Sequence, residues 1–390
     1  MPMPEPKASI LAIDQGTLST RAILFDRRGN QVAIARRPVA LERMDRHRVE
    51  QDGADILART REVIAEILQA ADNTAIAAAG LATQRSSVIA WNLQTGEPLS
   101  PVLSWQDRRE HAWLETLQPR ASEIQRISGL RLTPHYGASK LRWLLRHNHR
   151  VQQAAGNGTL ALGPLAAFLI ANLVAGHRNL VDHANASRTQ LWNLHTTDWD
   201  PHLLALFGVR QEWLPATRPI RADYGLLSGT SIPLTAVNGD QTAALFANGA
   251  IGPGDLRVNL GTGAFVLKPT GDRPVMHDTL LSGLCDSSDG ERSYLIEGTV
   301  NGAGAALRWM QKSQGFDSSP EAVGLALDAC PGPGLLFINT IGGLGSPWWR
   351  DGPEPHWCNP GGSRLIAPDA TVAIASLIES ILFLLTRNIS

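Results

Sequence analysis

The sequence predicts an α/β protein with two domains that face each other across one ligand. Its 390 residues exceed what one ordinary core holds, since cores stop growing at roughly 250 to 300 residues. A strand, a Gly/Thr turn and a returning strand occur at 9–25 and recur at 256–267, which marks a duplicated unit. Apolar residues at helical spacing lie between predicted strands in the first half.

The elements follow in order. An apolar run at 9–13 leads into Asp14, Gln15, Gly16 and Thr17, and a second β-type run covers 21–25. Arg27 to Asn30 supply a turn before a third run at 31–35, so the chain opens as a three-stranded meander. Asp52 and Asp55 can cap a helix over 56–70, where Ile56, Val63, Ile64, Ile67 and Leu68 recur at helical spacing. A strand follows near 76–82. The most apolar run, 160–174, is interrupted by Gly163, Pro164 and Asn172 and is shorter than the ~20 residues that span a bilayer, so it reads as a buried helix.

A short strand at 235–238 ends in Gly239 and Asp240, ahead of an Ala-rich helix start. The run 256–260 then enters Gly261, Thr262 and Gly263, and 264–267 returns. From about 368 the pattern is helical but apolar on nearly all sides, including Ile374, Leu377, Ile378, Ile381 and Leu385. Such a helix needs cover on several faces. The expected domains are 1–234 and 235–390, joined by a hinge near 231–237, because no low-complexity linker marks the boundary.

The bulk numbers exclude several classes. With 43% hydrophobic and 18% charged residues, the chain reads as soluble and globular, and its 36 Gly and 24 Pro supply tight turns. The 35 basic and 36 acidic residues nearly cancel, which leaves no large field for nucleic acid or an anionic membrane. Cys285, Cys330 and Cys358 are too widely spaced for a disulfide framework or a zinc site. The start, MPMPEPKAS, lacks the regions of a signal peptide. A cytoplasmic protein is expected, and a homo-oligomer is left open.

Chemistry concentrates at a few positions. A Gly/Thr turn presents successive N–H groups and a hydroxyl to one concavity, which suits phosphate oxygens. Either turn alone is an ordinary hairpin; the pair, with Asp14 opening the first, points to phosphate. Asp14 suits Mg²⁺, and Arg21 can neutralise a transferring phosphate or be a solvated strand end. Asp240 sits at a strand end ahead of a helix, so general base and helix N-cap are equal readings, with Gln241 placed to orient a neighbouring hydroxyl. Gln84, Arg85, Trp105, Gln106, Asp107, Arg108 and Arg109 form a third cluster able to grip a polyol. Singly, Trp105 reads as core and Arg108 or Arg109 as surface partners of Glu110.

Together, DQGTLSTR at 14–21, TQRSSVIAW at 83–91, LSWQDRR at 103–109, NASRT at 185–189, NGDQTAALF at 238–246, LGTGAF at 260–265, EGTVNGAGAALRW at 297–309 and GGLGSPWW at 342–349 resemble the FGGY carbohydrate kinases, and among them the glycerol kinases. The resemblance runs from Ile10 to about Arg387. It implies two actin-like, ribonuclease H-like domains that face an interdomain cleft, the second incomplete, closing on MgATP and a small polyol or sugar. Asp240 is then the catalytic base and Asp14 serves the metal. Gly16, Thr17, Ser19, Arg21, Gly261 and Thr262 hold phosphates, and Gly304 and Arg308 lie near the nucleotide. Arg85, Trp105, Asp240, Gln241 and Phe265 match the family's substrate positions.

Two substrate positions depart from that pattern. The family's Glu beside the Arg is Ser86, and its Tyr falls at His135, with Tyr136 adjacent. Losing a carboxylate acceptor removes a hydrogen bond of ~1.5 to 3 kcal/mol, enough to change substrate preference toward a larger polyol or ketose. Family members also continue past the apolar helix with a strand, a Gly-rich adenine loop and closing helices. A C-terminally truncated family member whose ATP pocket lacks one wall is therefore expected. A non-catalytic polyol-binding remnant is the competing reading, and an actin-like ATPase scaffold is a third.

Overall fold

The computed structural model describes residues 9–71, 75–329, 334–365 and 368–389. Two compact units emerge. The first comprises Met1–Ala250 with Asp272–Pro274 and Gly283–Tyr294, and the second Ile251–Gly271, Val275–Ser282 and Leu295–Ser390.

In the first unit, β1 (Ser9–Gln15), β2 (Ser19–Phe25) and β3 (Gln31–Pro38) form the expected antiparallel meander. Helix α1 (Gly53–Ala70) lies against β2 and β3, and Asp52 caps it by accepting from the Ala54 and Asp55 N–H groups. Strand β4 (Ile76–Thr83) pairs parallel to β1 on its other side. Strand β5 (Val88–Asn92) joins a second sheet, and helix α2 (Gly137–His147) packs on it so closely that a Cβ at Gly137 would stand 2.8 Å from Val88 Cγ1.

The apolar run at 160–174 is half strand and half helix. Leu160–Pro164 pairs antiparallel with β5, and helix α3 (Leu165–Leu173) begins directly after Pro164. Proline has no N–H to extend a helix backward, so the single buried helix expected from the sequence divides there. Every residue of α3 is buried, which accounts for its uniform apolarity. Helix α4 (His183–Ser187) is capped by the Asp182 carboxylate, which accepts from the Asn185 backbone and side-chain N–H groups at 2.9 and 2.8 Å.

Strand β6 (Leu234–Gly239) pairs parallel with β4, completing a five-stranded sheet in the order β6-β4-β1-β2-β3. This antiparallel meander followed by two parallel strands is the ribonuclease H-like arrangement. It also corrects the expected boundary. Because β6 belongs to the first sheet, the first unit runs on to Ala250, past 234, and 234–239 is paired strand. Asp240, which opens the short helix α5 (Asp240–Ala243), belongs to the first unit.

In the second unit, β7 (Arg257–Leu260) and β8 (Ala264–Gly271) form the second Gly/Thr hairpin. Strands β9 (Leu281–Ser288) and β10 (Glu291–Val300) follow, of which residues 283–294 are counted with the first unit. Helix α6 (Gly304–Gln314) follows. Helix α7 (Ala370–Ile389) is long and apolar enough to cross a bilayer, yet Ile374, Leu377, Ile381 and Leu385 pack into this unit's core beside Trp357 and Met310. That burial accounts for much of its apolar character without a membrane. Its cover is one-sided, with Leu382 and Phe383 exposed.

Candidate active site

Parallel strands place their following loops at one edge of a sheet, and β1, β4 and β6 converge there. Register pairs Asp14 with Ala82 and Gly239 with Thr83, so Asp14, Arg85 and Asp240 come from adjacent positions. Arg85 Nε lies 4.0 Å from Asp240 Oδ1, with the Arg85 side chain 9% and the Asp240 side chain 29% exposed. The carboxylate is therefore open enough for a hydroxyl to reach it. Burial raises its pKa above the ordinary carboxylate value; the Arg85 charge and the Gln241 N–H pull it down, and nearby Asp14 adds to the rise. Asp240 is the first helical residue and Gly239 the N-cap; the Asp240 carboxylate accepts from the Gln241 N–H at 2.7 Å. The N-cap reading of Asp240 therefore does not hold: Gly239 takes that position, and the helix has no side-chain cap hydrogen bond.

Gly239 makes this pairing possible. A Cβ there would stand 2.5 Å from Arg85 Cγ, so only glycine lets the guanidinium stem cross the strand end. Gly239→Ala is expected to displace Arg85 and lower kcat/KM by about tenfold or more, since small misplacements of binding groups carry large rate penalties. Steady-state kinetics checks this, with a melting curve as the folding control.

The first Gly/Thr turn closes by the Gly16 N–H donating to Ser19 O at 3.0 Å. Asp14 and Arg21 are cross-strand partners, and Arg21 donates to Asp14 Oδ2 through Nε at 3.0 Å and through Nη2. Arg21 is thus an ion-pair partner at the turn. Trp105 Nε1 donates to Thr17 Oγ1 at 2.9 Å, which ties the indole to the turn. Behind them Gln51 Nε2 donates to Thr17 O, Gln84 Nε2 to Gln15 Oε1 and Gln51 Oε1, and Ser87 Oγ to Gln84 Oε1. The Trp105 N–H donates to Ser87 Oγ.

These bonds revise the polyol cluster read from the sequence. Gln84 is buried and serves this internal network. Asp107 and Arg109 form a buried pair, Arg109 also reaching Glu50 at 2.6 Å and lying over the Trp143 ring at 4.4 Å. Gln106 accepts from Arg43. Arg85 and Trp105 keep their place at the edge. His135 lies against Trp105, ring centroids 5.5 Å apart, and against Tyr136 at 5.1 Å. Tyr136 itself is buried, so His135 holds the position beside the indole. Ser86 has a left-handed φ of 63°, and its Oγ is buried without a hydrogen-bond partner.

Two residues were missed. Arg188 is buried and its charge acts on Asp240, while Lys140 is fully buried behind Ser86 and His135. The signal for Lys140 was its spacing: it shares the buried face of α2 with Gly137, Leu141 and Leu144.

Gly261, Thr262, Phe265, Gly304 and Arg308 all lie in the second unit. There the second turn docks on the start of α6: the Gly304 and Ala305 N–H groups donate to Gly261 O at 3.0 Å and Thr262 O at 2.8 Å. A Cβ at Gly304 would meet Gly261 O at 2.6 Å, so the helix start needs glycine to approach this closely. Phe265 pairs with Asn259 across the hairpin. Among the described residues no three carboxylates, imidazoles or thiols converge on a metal position. Mg²⁺ needs only one or two carboxylates when phosphate oxygens complete its shell, so a single carboxylate such as Asp14 could hold it.

Comparison with known proteins agrees with this geometry. The family described as "FGGY family of carbohydrate kinases, N-terminal domain" matches residues 9–247. The glycerol kinase of Thermus brockianus is 38% identical over 349 residues, covering 87% of this chain and 70% of that protein. The structure of Plasmodium falciparum glycerol kinase with ADP superposes with a TM-score of 0.89 at 25% identity, over 98% of this chain and 78% of that one. A ligand-bound xylulose kinase from Lactobacillus acidophilus shares the fold, with a TM-score of 0.82 at 21% identity over 97% and 77% of the two chains. The chain belongs to the FGGY family of carbohydrate kinases and is a phosphotransferase for a sugar or polyol.

Proposed function

We infer that the chain transfers the γ-phosphoryl group of ATP to a hydroxyl of glycerol or a related polyol or ketose, with Asp240 as general base. The observation that supports this most is the reachable Asp240 carboxylate beside Arg85, at the sheet edge that also carries the Asp14 to Thr17 turn. Arg85 and Gln241 orient the substrate, Trp105 covers its C–H face, and Asp240 takes the hydroxyl proton as the new O–P bond forms. MgATP supplies the phosphoryl group. Asp14 is the proposed metal ligand; Gly16, Thr17, Ser19 and Arg21 in the first unit, and Gly261 and Thr262 in the second, are the proposed phosphate contacts. Gly304 and Arg308 are proposed to serve the nucleotide, and Phe265 the substrate.

Ser86 and His135 favour a substrate other than glycerol alone. Ser86 is neutral and smaller than the charged acceptor of the glycerol-specific pattern that it replaces, so that acceptor's charged hydrogen bond is missing here. A cytoplasmic setting suits the buried, unpaired Cys285 and Cys358; Cys330 lies outside the described residues. ADP release with MgATP across glycerol, tetritols, pentitols and ketopentoses tests the reading. Turnover with at least one of them is expected, and a four- or five-carbon substrate is expected to exceed glycerol in kcat/KM. Polyol binding without ADP release would support the binding-only alternative.

A further inference from the structure

The structure assigns to Lys140 the role of positioning residue for the polyol site: its buried amine ties the Ser86 turn to the His135 loop and so sets the width available to substrate. This rests on the function proposed above. Lys140 is 1% exposed, and Nζ donates to Ser86 O at 3.1 Å and to His135 O at 2.6 Å. Those carbonyls belong to the two residues at which the site departs from the glycerol-specific pattern. Neither residue is held at its carbonyl by regular secondary structure, and Ser86 sits in a backbone region that non-glycine residues occupy only under constraint. The Lys140 bond supplies such a constraint.

Composition points the same way. Of 35 basic residues only four are lysine, at 7, 140, 268 and 312, so arginine is this chain's ordinary cation. A guanidinium is planar and carries five donors, which two carbonyls in a closed pocket leave unsatisfied; an amine is compact. Burial pushes the Lys140 pKa down to about 7, with Asp107 opposing and Arg109 reinforcing the shift. The amine can therefore shed its charge and still donate two hydrogen bonds.

The test measures polyol affinity by calorimetry, and KM and kcat for the best polyol and for ATP, in the wild type, Lys140→Met and Lys140→Arg. Lys140→Met is expected to weaken polyol binding on the order of tenfold, as two buried carbonyls lose their donor. It should also narrow the difference in KM between glycerol and a pentitol, while KM for ATP stays within about twofold. Lys140→Arg keeps the charge and should fail to restore wild-type affinity. Should Lys140→Met not fold, Lys140→Gln, which keeps one donor and no charge, is read instead. A folded variant with unchanged affinity and unchanged size preference overturns the assignment. So does a parallel loss of polyol and ATP affinity that tracks a lowered melting temperature. A wild type that binds no polyol overturns both this role and the function on which it rests, whereas a binding wild type and an indifferent variant overturn only the role of Lys140.

Discussion

Asp240→Asn is expected to reduce kcat by roughly 10² to 10⁴-fold while leaving polyol affinity within a few fold. Asparagine keeps the size of the side chain and an oxygen that can still accept from the Gln241 N–H, so α5 should still start where it does. What it cannot do is take a proton. Steady-state ADP release paired with calorimetric polyol binding separates the two effects. A loss of binding equal to the loss of rate would make Asp240 a substrate clamp, and an unchanged kcat would remove it from the chemistry altogether.

Arg85→Gln has the second-largest expected effect, and it carries a pH signature. Burial raises the Asp240 pKa, and the Arg85 charge is the largest influence lowering it. A general base works only when ionised, so activity must fall as pH drops through the Asp240 pKa. Removing the guanidinium takes away the lowering influence, the pKa rises further, and the acid limb of kcat/KM moves to higher pH. The variant should therefore lose proportionally more activity at pH 6 than at pH 8. Beyond that shift, substrate affinity should fall roughly tenfold to a hundredfold, the size of a lost charged hydrogen bond of about 1.5 to 3 kcal/mol. An acid limb that does not move would mean another group titrates.

Short-range features of this chain were legible from its sequence. The meander at 9–38 follows from three β-type runs with Gly-containing turns between them, and Asp52 announced α1 by its chemistry. The two Gly/Thr turns and the strand ending at Asp240 were located by the same local logic. Partners chosen across the sheet were not legible. Nothing in the run QDRR says that Arg109 is consumed by Asp107 and by Glu50, because the second partner lies on a strand more than fifty residues away. The domain boundary was misplaced for the same reason: β6 is separated from β4 by some 150 residues, yet it completes their sheet. At Leu160–Pro164 the periodicity was silent, since a strand and a helix that are both wholly buried look alike.

The Trp105 to Thr17 hydrogen bond gives the turn a direction. A hydroxyl owns a single proton, and the indole N–H that lands on Thr17 Oγ1 occupies one of the oxygen's lone pairs. The Thr17 proton cannot go back along that line, so it is aimed elsewhere and the threonine is left polarised as a donor. Placed this way, the side chain can offer its proton to an acceptor on the other side of the turn while its second lone pair stays open. One indole N–H thus sets the direction of a proton in a turn 88 residues earlier in the chain, before any ligand arrives.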